Sequence, residues 1–352
     1  MAEEAKGTVL VALLANIGVG VAKAVGGIIT GSSALLAEAA HSVADTLNEI
    51  FLLLSLSRAS KPADRTHPFG YGKERFFWSL IAAVGIFISG AVFSIAEGIH
   101  SLTTTEEETS TSHFIVIYAI LAFSLVLEGG SLLKALRQVT REASTAGRRL
   151  LTYIVRSPDP TTKTVASEDS IAVLGVIVAI VGTALHQITG SPAWDAISSI
   201  VIGVLLGLVA FLLGRDTKEL LIGEAADPAV RMEAVQVLSA EEGIVGIKEI
   251  LTMQLGPSNV LVAVRLQFEE TLTGREIEEL CTRVELAMRE RVPALTQVFL
   301  DPSRVTVEEA QQAEERFELT RTEAASLVDP DAEPAAKVPA ARTRTARRLH
   351  GT

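Results

Sequence analysis

Six stretches of the chain run apolar for about 20 residues each, the length an α-helix needs to cross a hydrocarbon core of ~30 Å. They cover residues 8–29, 34–56, 77–99, 114–136, 170–188 and 193–213. In lipid only helices or a closed barrel satisfy the backbone, so these stretches predict helices. Many small residues lie in them, such as Gly18, Gly20, Gly26, Gly27, Gly85, Gly90, Gly129 and Gly130, which predicts close helix approach. From residue 216 the pattern changes. Asp227-Pro228 opens a helix to about residue 241, and residues 245–254 and 259–268 read as strands. Residues 271–291 read as an amphipathic helix with Thr273 or Gly274 at its start, and 296–300 as a third strand. This αββαβ order predicts a three-stranded α+β sandwich. The expected domains are therefore an all-α six-helix transmembrane domain (1–215), an α+β domain (216–305) and a tail (306–352). The tail is rich in Glu, Ala, Arg, Thr and Pro and is expected to be disordered after one helical extension.

The charges between the apolar stretches orient them. The link after the second carries Arg58, Lys61, Arg65, Lys73 and Arg75; the link after the fourth carries Arg137, Arg141, Arg148, Arg149, Arg156 and Lys163. The links at 30–32, 103–112 (with Glu106, Glu107 and Glu108) and 186–192 contain no Lys or Arg. Basic residues accumulate on the cytoplasmic side of short loops, so both basic links and both termini are expected there. The net charge of −11 averages an acidic second half with a basic finish, Arg342 to Arg348, and names no partner. Few Arg residues mixed with Ala and Thr predict no nucleic-acid binding. The first residues are acidic and lead directly into apolar sequence, unlike a cleaved signal. With no organelle-targeting pattern visible, a bacterial-type plasma membrane is the expected location.

Cys281 is the single cysteine, which excludes an internal disulfide and a thiolate zinc cluster. Any metal must be held by His and carboxylates, and no prosthetic group is expected. The histidines are His41, His67, His100, His113, His186 and His350, so residues 187–349 have none. His100, His113 and His186 fall at predicted outer helix ends, where imidazole is ordinarily just solvated.

The second apolar stretch contains Glu38, His41 and Asp45, whose spacings of three and four put them on one helix face. An imidazole and a carboxylate one turn apart can hold a divalent cation, and ionisable groups at membrane depth are costly enough to be read as functional. Glu38 is either an acceptor that orients the His41 ring or a carboxylate at the outer interface. Asn48 and Glu49 continue the stripe inward and would line the cytoplasmic access path. Lys23, Glu97 and Glu128 are further charges within spans, explained by interhelical ion pairs or snorkelling as well as by function.

Two phrases carry a resemblance. One is Gly31-Ser32-Ser33-Ala34-Leu35-Leu36-Ala37-Glu38-Ala39-Ala40-His41-Ser42-Val43-Ala44-Asp45; the other is His67-Pro68-Phe69-Gly70-Tyr71-Gly72-Lys73-Glu74. Together with the six predicted helices, they resemble the cation diffusion facilitator family over residues 7–305. The runs 168–175 and 190–195 look most like the branch containing mammalian zinc transporter 9. The resemblance implies a homodimeric, proton-coupled exporter of zinc or a related divalent metal, with a cytoplasmic ferredoxin-like domain.

The family's transport site takes two residues from the second helix and two from the fifth. His41 and Asp45 match the first pair. Counting back from Asp195 puts Asp169 where many zinc-transporting members have His, and Val173 where they have Asp. Four ligands thus become three, unless Glu168 joins them. Asp64 and His67 match part of a second, loop-held metal site whose further position is Tyr71 here, and a structural turn is the better reading of that pair. The histidine-free domain cannot hold the binuclear cluster of some relatives, which leaves dimerisation as its role. The expected function is antiport of a divalent cation, Zn²⁺ first, against protons across a lipid bilayer. The alternatives are a manganese, iron or cobalt exporter and a non-transporting, metal-responsive scaffold.

Overall fold

The computed structural model describes residues 2–104, 110–145, 147, 149–150, 153–154, 160–304, 312–313 and 315–322, with their side chains except at 2–12, 15 and 160–166. Most of the expected disordered tail lies outside the described residues, as do Glu106, Glu107 and Glu108, and Arg148 and Arg156 of the second basic link.

Hydropathy marks the part of a helix that meets lipid, whereas backbone hydrogen bonding continues into the polar turns on either side. Each apolar stretch accordingly lies within a longer helix: α1 Ala2–Thr30, α2 Ser33–Ala59, α3 Glu74–Thr103, α4 Thr111–Thr145, α5 Pro160–Thr189 and α6 Ala193–Ile222. The change of pattern at residue 216 therefore falls inside α6 rather than at its end. Between α1 and α2 only Gly31 and Ser32 intervene. Gly31 takes φ +71° and donates its N–H to the Gly27 carbonyl at 2.8 Å, a left-handed helix end that suits glycine. Ser32 then caps α2 by accepting from the Leu35 N–H at 3.1 Å. So short a link makes α1 and α2 an antiparallel hairpin, and they pack along each other.

Four of these helices, α3, α4, α5 (over Ser167–Thr189) and α6, are long and apolar enough to cross a membrane. The described apolar part of α1, Asn16–Thr30, is shorter, and in α2 the stripe Glu38, His41, Asp45, Asn48 and Glu49 dilutes the apolar signal. The chain therefore has a helical membrane domain with four clear spans and two associated helices. Its packing is that of a protein in lipid. Small or aliphatic residues such as Ala34, Ala37, Ala83, Ala91, Ala179 and Ile202 form the core, while Ile28, Val126, Ile188 and Phe211 face outward. Contact between α3 and α6 depends on missing side chains: a Cβ on Gly203 would lie 2.9 Å from the Ala91 carbonyl oxygen, and one on Gly98 2.6 Å from that of Ala196. Midway, α3 widens into a π-helical stretch, Ile86–Val92, where the Ser89 hydroxyl donates to the Gly85 carbonyl at 2.6 Å. Periodicity gives no sign of such an insertion, which shifts the face of the helix beyond it.

The structure divides into two compact units. One comprises residues 1–142, 153–225 and 253–261; the other comprises 143–152, 226–252 and 262–352. The C-terminal elements are α7 Pro228–Ala240, β1 Ile244–Gly256, β2 Asn259–Phe268, α8 Gly274–Arg291 and β3 Leu295–Pro302, in the expected αββαβ order with β2 central in the sheet. Asp227 caps α7 by accepting from the Ala229 N–H at 2.8 Å. In β2, Val262, Val264 and Leu266 alternate into a core shared with Leu238, Leu280, Val284 and Met288. α8 starts with a reciprocal cap: Thr273 accepts from the Glu276 N–H, and the Glu276 carboxylate accepts from the Thr273 N–H at 2.7 Å.

The bonds from the Thr273 backbone and hydroxyl hold the Glu276 carboxyl below its usual range. A depressed carboxyl contributes stability above its unfolded pKa and loses it as pH falls through its folded pKa. Thr273→Ala should cost ~1 kcal/mol of local stability, read as faster hydrogen exchange in the first turn of α8, and the difference should shrink in acid. Equal exchange at neutral pH would mean that the cap is not what holds this helix end.

Candidate functional site

Polar side chains inside a lipid-embedded bundle are costly unless each finds a partner, so those left without one locate a site. Among the described residues of the membrane helices, the buried side-chain atoms lacking a hydrogen-bond partner belong to Glu38, His41, Asp45, Glu49, Glu128 and Glu168. All but Glu128 and Glu168 lie on α2, along the stripe visible in the sequence.

His41 and Asp45 sit one turn apart on α2, with Nδ1 and Oδ1 3.6 Å apart. His41 is 2% exposed; both of its ring nitrogens and Asp45 Oδ1 lack a partner. One ring nitrogen of a neutral His41 and the Asp45 carboxylate, one turn apart, are two groups of the kind that ligate a cation. One turn further along, Asn48 donates to Glu168 Oε2 of α5 at 2.6 Å, which turns the buried Glu168 carboxylate toward α2 and leaves its Oε1 unpaired. Glu49 accepts from Asn16 of α1 at 2.9 Å.

Asp169, the expected lead residue on α5, is placed differently. Its neighbour in sequence is about 100° away around the axis, and where Glu168 turns to α2, Asp169 accepts from Ser131 of α4 at 3.1 Å. The rotation of α5 is set at a second point, where Gly175 lets the helix backbone approach: a Cβ there would be 2.5 Å from Glu38 Oε1. Between the Asn48–Glu168 and Glu38–Gly175 contacts, α5 carries Asp169, which accepts from Ser131, then Ser170 and the apolar run Ile171, Ala172, Val173 and Leu174, which supplies no metal donor. The set is consequently open. Among the described residues, no three His, Cys, Asp or Glu side chains are gathered closely enough to enclose an ion.

Glu38 makes no hydrogen bond to the His41 ring, whose nitrogens are both unpaired. Its Oε2 accepts from Lys23 Nζ of α1 at 2.8 Å, and the same ammonium donates to Glu128 Oε1 of α4 at 2.6 Å. Lys23 is fully buried, so it joins three helices as an ion network instead of snorkelling. Ser124 also donates to Glu128 Oε1, at 2.8 Å.

Asp195 was useful in the sequence only as a register mark, yet it is 3% exposed and bonded on all sides. Its Oδ2 accepts from Ser32 Oγ (2.9 Å), Ser33 Oγ (3.3 Å) and the Ala34 N–H (3.1 Å), and its Oδ1 from Thr183 Oγ1 (3.4 Å). Nothing in the spacing of these residues announces the contact, because it joins positions more than 160 apart in the chain.

In the loop after α2, Asp64 is exposed and engaged by its own turn. Oδ1 accepts from the N–H groups of Thr66 (2.9 Å) and His67 (2.7 Å), and Oδ2 from the Tyr71 hydroxyl (2.7 Å). The His67 ring leans on Tyr71, with centroids 4.3 Å apart.

Comparison with known proteins places these features. Residues 9–222 match the cation efflux transmembrane domain family. The chain is 34% identical over 252 residues to the mouse proton-coupled zinc antiporter SLC30A9, mitochondrial, which covers 72% of this chain and 44% of that protein. It is 34% identical over 255 residues to metal tolerance protein C4 of Arabidopsis thaliana (70% and 55%). Against the cation-efflux pump FieF of Klebsiella pneumoniae strain 342 it is 27% identical over 287 residues (80% and 87%). The chain thus spans about half the length of the first two relatives.

The Tyr71 hydroxyl, followed by the backbone bond from His67, holds the Asp64 carboxyl below its usual range, and the same contact pushes the Tyr71 phenol up. By the linkage sign, the turn is stabilised above the unfolded Asp pKa of ~3.9 and loses that contribution as pH falls through the lower folded value. In Tyr71→Phe, NMR titration of Asp64 should move back toward the ordinary value. An unmoved titration would remove the hydroxyl as the cause.

Proposed function

The chain belongs to the cation efflux family, and on that footing we propose that it is a proton-coupled antiporter exporting a divalent cation, Zn²⁺ first, from the cytoplasm. One observation carries the reading: His41 is buried on α2 with both ring nitrogens unpaired, and half-buried Asp45, one turn on, has a buried and unpaired Oδ1, beside a buried Glu168 turned toward the same helix. Those groups bind a cation only when the imidazole is neutral and the carboxylates ionised, so protons arriving from the far side compete it off. In this reading α1 and α2 complete a six-span bundle, and rocking of helices about the open site alternates access.

Glu168 supplies the α5 ligand, with Asp169 held against α4. The geometry of the Asn48 bond supports that order over the one expected from register alone. Asn48 and Glu49 line the access path. A carboxylate-rich set keeps Mn²⁺, Fe²⁺ and Co²⁺ as alternatives. A non-transporting scaffold is the reading favoured by Val173, where a fourth ligand is missing.

The αββαβ domain is ferredoxin-like and, lacking His, serves to pair two copies of the chain. Both basic loops and both termini face the cytoplasm, and the membrane is the plasma membrane. The vertebrate relatives carry "mitochondrial" in their names, and the same charge polarity would there face the matrix.

Uptake of Zn²⁺, Mn²⁺, Fe²⁺, Co²⁺ and Cd²⁺ into everted vesicles under a proton gradient tests this. Zn²⁺ uptake should exceed the others and collapse with the gradient. His41→Ala, Asp45→Ala and Glu168→Gln should each cut it by tenfold or more, roughly the loss of one metal ligand, while Asp169→Asn keeps most of it. No gradient-driven uptake of any of these metals would leave the scaffold reading, and a dead Asp169→Asn beside an active Glu168→Gln would reverse the ligand assignment.

In sedimentation, the full-length protein in detergent should be a dimer. A monomer at all concentrations would remove the pairing role of the sheet domain.

A further inference from the structure

Asp195 gathers four donors from two other helices onto one carboxylate. It stands in the first turn of α6, after the turn made by Gly190 (φ +70°), Ser191 and Pro192. It does not cap its own helix. Instead Oδ2 reaches the N-terminus of α2, taking the Ala34 N–H and the Ser32 and Ser33 hydroxyls, while Oδ1 takes the Thr183 hydroxyl near the end of α5. The positive ends of two helix dipoles, those of α2 and α6, thus meet on one anion, and all of these side chains are buried. Among the described residues no Lys, Arg or His forms an ion pair with this carboxylate, so hydrogen bonds and dipoles are what hold it.

Position gives the contact its consequence. The knot lies at the end of α2 away from the 60–73 loop. His41 is seven residues on from Ala34, about 10 Å along the helix. Ala37, one turn inside the knot, is fully buried against the core. α2 packs on both α5 and α6, and those are the helices Asp195 ties to it, so an opening between them at this end is one that this carboxylate holds closed.

We propose that Asp195 is a positioning residue that latches this end of the bundle shut. Its part in metal release rests on the antiport reading above; the latch itself does not.

The test is thiol accessibility in the full-length protein, in lipid, with neither metal nor proton gradient. In a Cys281→Ser background, Ala37→Cys reports on the latched end and Ser55→Cys, also buried, on the opposite end of α2, each with a membrane-impermeant maleimide. Asp195→Ala should speed labelling at position 37 about tenfold or more, the factor expected for losing at least one net hydrogen bond to a charged group, and leave position 55 unchanged. Asp195→Asn and Ser33→Ala, which preserve shape, should give smaller increases in the same place. Unchanged labelling at 37 in all three variants, or an equal rise at 37 and 55, would overturn the latch in favour of a packing role. Because no flux is measured, wild-type protein that moves no metal would refute the antiport reading and leave this result standing.

Discussion

An ion buried in a lipid-spanning bundle must be answered by another polar group, and the arrangement of this membrane domain follows from how each charge meets that demand. Lys23 answers Glu38 and Glu128 together; Asp195 is answered by hydroxyls and a helix end. Asn16 and Asn48 answer Glu49 and Glu168. What remains unanswered is concentrated at His41 and Asp45. Satisfied ions fix which helices are neighbours, and the unsatisfied ones are those on which the proposed cation site rests. The same physics serves both, which is why the structural and the functional residues share one face of α2.

Close packing makes these contacts reachable. Hydrogen bonds of 2.6–2.9 Å between side chains on different helices need backbones that approach within the reach of short side chains, and Gly98, Gly175 and Gly203 provide that at the contacts of α5 and α6. The π-helical stretch of α3 belongs to the same logic: by widening one turn it brings Gly90 to Leu206 and Gly98 to α6. Where helices are held apart by nothing larger than hydrogen, a single carboxylate such as Asp195 can touch several of them.

Much of this was legible in the sequence. Apolar length marked the four clear spans, and alternation gave the αββαβ order with Thr273 at the head of α8. The i, i+4 pair His41 and Asp45 was visible because both residues lie on one helix, where spacing fixes their relation. What could not be read is what depends on how one helix faces another. Neither the ion network of Lys23 with Glu38 and Glu128 nor the contacts of Asp195 has a local signature. The choice between Glu168 and Asp169 turns on the rotation of α5, which packing at Gly175 and Asn48 sets. Hydropathy even under-reports α2, since the stripe that makes it chemically interesting is what makes it less apolar.

That last point bears on how the protein enters a membrane at all. As a span, α2 alone would carry Glu38, His41, Asp45 and Glu49 into hydrocarbon and α1 would carry Lys23, so each would insert poorly by itself. The Gly31-Ser32 link is so short that the two helices form a hairpin, and within it Lys23 and Glu38 lie 2.8 Å apart. A hairpin whose largest opposing charges already cancel partitions as a unit at lower cost than either arm. The tight turn between them thus does more than connect: it sets the one pairing in which the Lys23 ammonium and the Glu38 carboxylate neutralise each other.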